Sequence, residues 1–201
     1  MQRQLYNQVE LLAAFQAYLL YTMMAFFLHS HDDSPLAGRD VMINLQEIAC
    51  EVALTGLVCP AELSNSRPDW ESWIIASSKR RTLFAMYMFE GVVDSARGIP
   101  HFLADELASL PAPSSRSLWL APTREIWERE YNLHLSEWPG GGLQIDELWP
   151  QPLAGREERQ KRINRWLRSV DEFGMMLFAV TSFTHHSGCD GGQQSLGRTL
   201  P

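Results

Sequence analysis

Two clusters in the chain carry the residue types that bind divalent metals: His29, His31, Asp32 and Asp33, and then His185, His186, Cys189 and Asp190. A metal site also needs a scaffold that fixes its ligands. Both clusters fall in segments whose composition predicts loop or tail, so solvated polar residues are the expectation and no metal or cofactor is assigned. Cys50, Cys59 and Cys189 show no C-x-x-C spacing, so the chain holds no zinc-finger pattern. No nucleophile elbow, dinucleotide fingerprint or phosphate loop occurs either. The three glycines at 140–142 read as a helix-to-helix turn, because no strand precedes them and no Lys follows. Carboxylate doublets at Asp32/Asp33, Glu157/Glu158 and Asp171/Glu172 are sequence neighbours. Adjacent residues on a helix point in different directions, so the doublets make no acid–base pair. No catalytic residue is assigned, and the reading is a non-enzyme.

Two basic runs remain. Lys79-Arg80-Arg81 follows Trp70 and Trp73, and Arg81 falls by spacing on the apolar face with Ser77 and Phe84. A buried guanidinium must find carboxylates or carbonyls, which predicts that Arg81 anchors two helices through an ion pair. The second run, 156–168, holds six basic and two acidic residues. A DNA-contacting helix is conceivable there, but a solvated face braced by Glu157–Lys161 and Glu158–Arg162 pairs is the simpler expectation.

The elements that must position these residues are helices. Residues 11–28 form an uncharged, largely apolar run that touches the lower length limit of a membrane span. Gln16 and Thr22 inside it, and Tyr18 and Tyr21 in mid-segment, favour a mostly buried first helix over an anchor or leader. A second run, 41–58, offers Ile43, Ile48, Val52 and Leu54 to a core and ends at Pro60. Asp69 is placed to cap a long helix that Gly98 and Pro100 stop. Residues 99–121 form a Pro-rich loop with one helical turn at 103–109. Pro122 suits the first turn of the next helix, which continues through Trp127, Tyr131 and His134 to the break at 139–142. A short piece at 143–149 follows, then a last helix over 156–183 and a frayed tail over 185–201. No segment alternates with period two. The prediction is an all-α, irregular domain of about six helices over 1–184, with a flexible tail behind it.

Composition bounds the function. The 201 residues are 45% hydrophobic and 20% charged, enough to bury one core rather than stay disordered. A net charge of −7 argues against a nucleic-acid-binding surface as the main business of the chain. Three cysteines build no disulfide framework, and the odd count points to a reducing compartment.

The order of features resembles the fungal-specific transcription factor regulatory domain, the helical middle region of regulators that read DNA through a zinc binuclear cluster or zinc finger. The elements are Trp70-Glu71-Ser72-Trp73-Ile74, then Lys79-Arg80-Arg81-Thr82 and the apolar stretch 83–93. Ile99-Pro100, Leu110-Pro111-Ala112-Pro113, Trp119-Leu120-Ala121 and Trp127 follow. The likeness covers about residues 11–183, and its specific part is 70–127. It marks Trp70, Trp73, Arg80, Arg81, Thr82, Pro111, Pro113, Trp119 and Trp127 as structural motif residues. It implies a nuclear regulator whose partners are other regulators or itself. DNA would be reached only indirectly or through a module this chain lacks, with no membrane role and room for a small-molecule effector. Control of a metabolite gene cluster is expected of so short a regulator, though no residue carries that expectation by itself. Two departures count: Ser77 stands where the family usually has an acid, and no DNA-binding cysteines are present. The rival readings are a helical enzyme with a large apolar pocket and a membrane-anchored helical protein.

Overall fold

The computed structural model describes residues 8–28, 39–99, 105–149 and 155–189, with the side chains of 39 and 183–189 outside that description. The described residues are all-α: α1 (Gln8–Leu28), α2 (Arg39–Leu54), α3 (Pro60–Leu63), α4 (Trp70–Ala96), α5 (Arg116–Trp119), α6 (Arg124–Glu137), α7 (Arg156–Leu167) and α8 (Glu172–Cys189). Single 3₁₀ turns lie at Asp105–Leu107 and Ile145–Leu148. No strand occurs among them. The helices group into two compact units, Met1–Val93 with Ala121–Gly141, and Asp94–Leu120 with Gly142–Pro201.

The core of the first unit is built from α1, α2 and α4, where Phe15, Leu19, Leu45, Ala49, Val52, Leu83, Phe89 and Val93 are buried together. In α1 the buried stripe is Leu12, Phe15, Leu19 and Thr22, at the three- and four-residue spacing of one helix face. The Thr22 hydroxyl donates to the Tyr18 carbonyl at 2.8 Å, so burying it leaves no polar group unmet. The expectation of a mostly buried first helix is corrected here. α1 is apolar all round, but only 22% of it is buried, and it is long and apolar enough to cross a membrane. In α2 two of the four expected core positions hold: Val52 is buried and Ile48 packs against the core. Leu45 and Ala49 are buried beside them, while Ile43 and Leu54 are exposed.

Asp69 caps α4 as the spacing predicts: its Oδ1 accepts the Ser72 N–H at 2.8 Å and its carbonyl the Trp73 N–H at 3.0 Å. Those hydrogen bonds hold the Asp69 carboxyl below its ordinary value. α2 ends at Leu54, short of the expected 58, and Pro60 instead opens α3, where a missing N–H costs nothing. Pro122 lies one residue ahead of its helix rather than inside it. Thr123 is the cap, accepting the Ile126 N–H at 3.3 Å.

In the second unit the Pro-rich segment is laced into place by backbone. Ala112 N–H donates to the Leu143 carbonyl at 2.8 Å and Ile145 N–H to the Leu110 carbonyl at 3.0 Å. Arg116 N–H reaches the Ser169 carbonyl at 2.7 Å. The single long helix expected over 156–183 is two helices. The chain breaks at Arg168–Val170, and Asp171 caps α8 by accepting the Gly174 N–H at 3.1 Å. α8 then continues to Cys189, so the segment expected to fray from His185 is helical for five residues more. Residues 190–201, Pro100 and the His29–Asp33 cluster lie outside the described residues.

Candidate functional site

The polar centre of the first unit starts from the short helix α3. Cys59 is its N-cap, and the Cys59 N–H donates to Glu62 Oε2 at 2.9 Å. That bond turns the Glu62 carboxylate back toward α4, where Arg80 meets it as a fork. Arg80 Nη2 donates to Oε1 at 2.9 Å and Nη1 to Oε2 at 3.1 Å. Arg80 also donates to the Leu57 carbonyl at 2.7 Å and to Ser77 Oγ at 3.0 Å. Both side chains are nearly sealed from solvent, at 6% and 10% exposure. A bidentate, desolvated pair of this kind is strong in geometry and costly to break. The acid that Ser77 cannot supply therefore comes from α3, and Ser77 serves as a fourth contact.

Lys79, one residue earlier, is fully buried. Its Nζ donates to Gln8 Oε1 at 3.1 Å, the Thr55 carbonyl at 3.3 Å and the Gly56 carbonyl at 3.1 Å. Those carbonyls lie just past the last residue of α2, at the end of a helix that favours a cation. Burial pushes the Lys79 ammonium below its usual value, an effect opposed by the nearby Cys59 thiol. Burial also pushes the Cys59 thiol up to about 11, helped by the charge of Glu62 and a hydrogen bond to it. Arg81, where the anchor was expected, is half-buried, and a sealed ion pair is made by its neighbour Arg80. A single apolar face assumes one covering neighbour. α4 is buried on several sides between Trp73 and Val93, so residues about 100° apart around it both point inward.

Above this centre sits an aromatic wall. The Trp73 ring lies 5.4 Å from Trp127 and 6.3 Å, edge-on, from Tyr131. α6 continues the wall along one face, with Tyr131 5.6 Å from His134 and His134 6.3 Å from Trp138. Burial raises the Tyr131 phenol well above its ordinary value and lowers the His134 imidazole below its own. Thr82 donates to the Ser78 carbonyl at 2.9 Å and accepts from Gln16 Nε2 at 3.2 Å, tying α4 to α1.

The first unit therefore contains Trp70, Trp73, Arg80, Arg81, Thr82 and Trp127, with Trp70 half-buried. Pro111, Pro113 and Trp119 belong to the second unit. There the Pro113 carbonyl accepts the Trp166 indole N–H at 2.8 Å, Pro111 bridges to Gln144, and Trp119 is half-buried. Arg162 forks onto Glu147 at 2.6 and 2.8 Å and onto the Gly142 carbonyl at 3.1 Å. Those bonds to Glu147 hold the guanidinium further toward its charged form. Glu158, the i,i+4 partner expected for it, adds its charge to that effect and also meets Lys161 at 3.7 Å.

Sequence reasoning missed Glu62 and the burial of Lys79. A signal for Glu62 existed, since Pro60 followed by an acid two positions on is a helix-start pattern. Among the described residues no three His, Cys, Asp or Glu side chains gather as metal ligands. The arrangement keeps both cations bonded to internal acceptors and holds the thiol in its protonated form, so its chemistry is that of a clasp joining α2, α3 and α4 beneath the Trp wall. Compared with family models, curated proteins and solved structures, the chain finds no match.

Proposed function

We propose that this chain is the regulatory and interaction domain of a transcriptional regulator of the fungal-specific type, acting in the nucleus by contact with other regulators rather than by catalysis. The observation that carries the reading is the inward clasp of its motif. Arg80, the central cation of the Trp-x-x-Trp-Ile…Lys-Arg-Arg-Thr pattern, is bonded to Glu62, Ser77 and Leu57 within the fold. A motif used this way builds a rigid helical body whose surface is left for partners. It does not offer phosphate-binding charge, in keeping with a net charge of −7. A small-molecule effector and control of a metabolite gene cluster belong to the same proposal.

The test is to fuse the full chain to a heterologous DNA-binding module and to a fluorescent protein in a fungal host. A nuclear fusion that shifts a tethered reporter several-fold supports the reading. A well-expressed nuclear fusion with an unchanged reporter counts against it. Sequence-specific, salt-resistant DNA binding by the isolated chain would overturn the claim that DNA is read elsewhere.

A further inference from the structure

The outward face of α1 carries a pattern that the first unit leaves largely exposed. Ala13, Ala17, Leu20, Met24 and Phe27 are all exposed, and they follow one another at spacings of four, three, four and three residues. That is the 3.5-residue repeat of a seam on which a second helix packs knobs into holes. The large members stand well out: Leu20 is 60% exposed, Met24 55% and Phe27 61%. One edge of Phe27 rests on Phe26 and Phe89. No charged residue lies between Leu11 and Leu28. Exposed apolar stripes of this kind mark contact surfaces.

The sizes along the seam identify the occupant. They run from small to large, Ala, Ala, Leu, Met, Phe, with Leu20 at the centre. Antiparallel pairing with an identical helix about a two-fold axis at Leu20 sets Ala13 against Phe27, Ala17 against Met24 and Leu20 against itself. The layers are then more even in volume than parallel pairing makes them, as close packing favours. Parallel pairing would set Ala against Ala and Phe against Phe, leaving a gap at one end and crowding at the other. The uncharged seam lets two copies, each of charge −7, approach along a surface where like charges do not meet. A membrane surface fits less well. Amphipathic membrane helices carry Lys and Arg beside the apolar face, whereas α1 has no basic residue in its last turn and is followed in sequence by Asp32 and Asp33.

We infer that α1 is the self-association surface of this chain, pairing antiparallel with α1 of a second copy. The seam is about 21 Å long at the helical rise, so it buries less than the roughly 800 Å² per partner of a standard interface. The dimer is accordingly weak and reversible. It rests on the geometry of α1 and is independent of a transcriptional role.

Sedimentation of the full chain over about two decades of concentration around 100 μM tests this. The weight-average mass should climb from 22.9 kDa toward twice that value. Leu20→Glu, at an exposed position, should weaken association at least tenfold while helical circular dichroism and the melting midpoint stay unchanged. In a Cys50→Ser, Cys189→Ser background treated with a mild oxidant, Leu20→Cys should cross-link to itself. Ala13→Cys should cross-link only when mixed with Phe27→Cys. A monomer at every concentration overturns the inference, as does a dimer indifferent to Leu20→Glu. Self-linking of Ala13→Cys alone overturns the antiparallel register. A chain that stays monomeric but floats with phosphatidylcholine vesicles through Leu20 assigns the face to a lipid surface instead and overturns it too.

Discussion

Arg80 and Lys79 are neighbours on one helix, yet their burial is satisfied in different ways. Arg80 has a carboxylate, so removing either member of its pair strands the other in a dry site. Arg80→Ala should therefore cost about 3–5 kcal/mol in urea unfolding, as breaking a buried pair does. Glu62→Ala should cost a similar amount, and the double variant should cost clearly less than the sum, since each change removes the same interaction. An additive double variant would show that the two residues stabilise the fold independently. Lys79 has only neutral acceptors, which is why burial lowers its proton affinity. Cys59, close by, titrates against the fold in a measurable direction. Its folded thiol ionises near 11 instead of 9.0, so above pH 9 the unfolded chain loses this proton first. Stability should fall as pH rises from about 9, levelling near 11, and Cys59→Ala should remove that part of the slope. A variant with the wild-type alkaline profile would show that the thiol is not the titrating group.

At the scale of elements, the break between α7 and α8 depends on a single glycine. Gly174 sits in the first turn of α8, and a Cβ built there would collide with Cγ2 of Val170 and press on the Trp166 ring at 3.2 Å. Helix propensity alone favours alanine over glycine by about 1 kcal/mol. The clash opposes it, because overpacking a closed site costs about 1–3 kcal/mol. Gly174→Ala should therefore destabilise the protein, read as a lowered melting midpoint, and a raised midpoint would mean that the α7–α8 corner opens freely. That corner also explains why one continuous helix was expected over 156–183. The charged and apolar halves both have helical spacing, and nothing local reveals that Asp171 stops accepting solvent and starts capping. The all-α class, the Asp69 cap, α4 and α6 were legible because periodicity and capping are local. Arg80's partner was not, because Glu62 lies 18 residues away and reaches it only through the fold. That Arg80 was passed over has the same origin: a helical wheel assigns one inner face, and α4 has several covered sides.

Over the whole molecule, the two units alternate along the chain, each assembled from two segments separated in sequence. The first unit needs α6, which arrives only after residue 120. From α6, Trp127 and Tyr131 close over Trp73. Asn132 accepts from Arg67 at 3.2 Å, and the carbonyls that end the helix, at Trp138 and Pro139, accept from Asn65 at 3.4 and 3.0 Å. Asn65 itself is held in the left-handed region at φ 50°, which asparagine visits more readily than most residues. A fragment of residues 1–93 keeps α1, α2 and α4 with the core cluster between them, but it exposes one face of Trp73 and strands Arg67 and Asn65. Losing the cover of one large aromatic is worth about 3–5 kcal/mol, a large share of the 5–15 kcal/mol that holds a domain of ordinary stability. The fragment should keep helical circular dichroism yet bind a hydrophobic dye and unfold over a broad, non-cooperative range. A sharp transition in 1–93 with tryptophan emission as blue-shifted as in the full chain would mean that α6 is a dispensable cover, and that the Trp wall contributes little to holding the clasp beneath it.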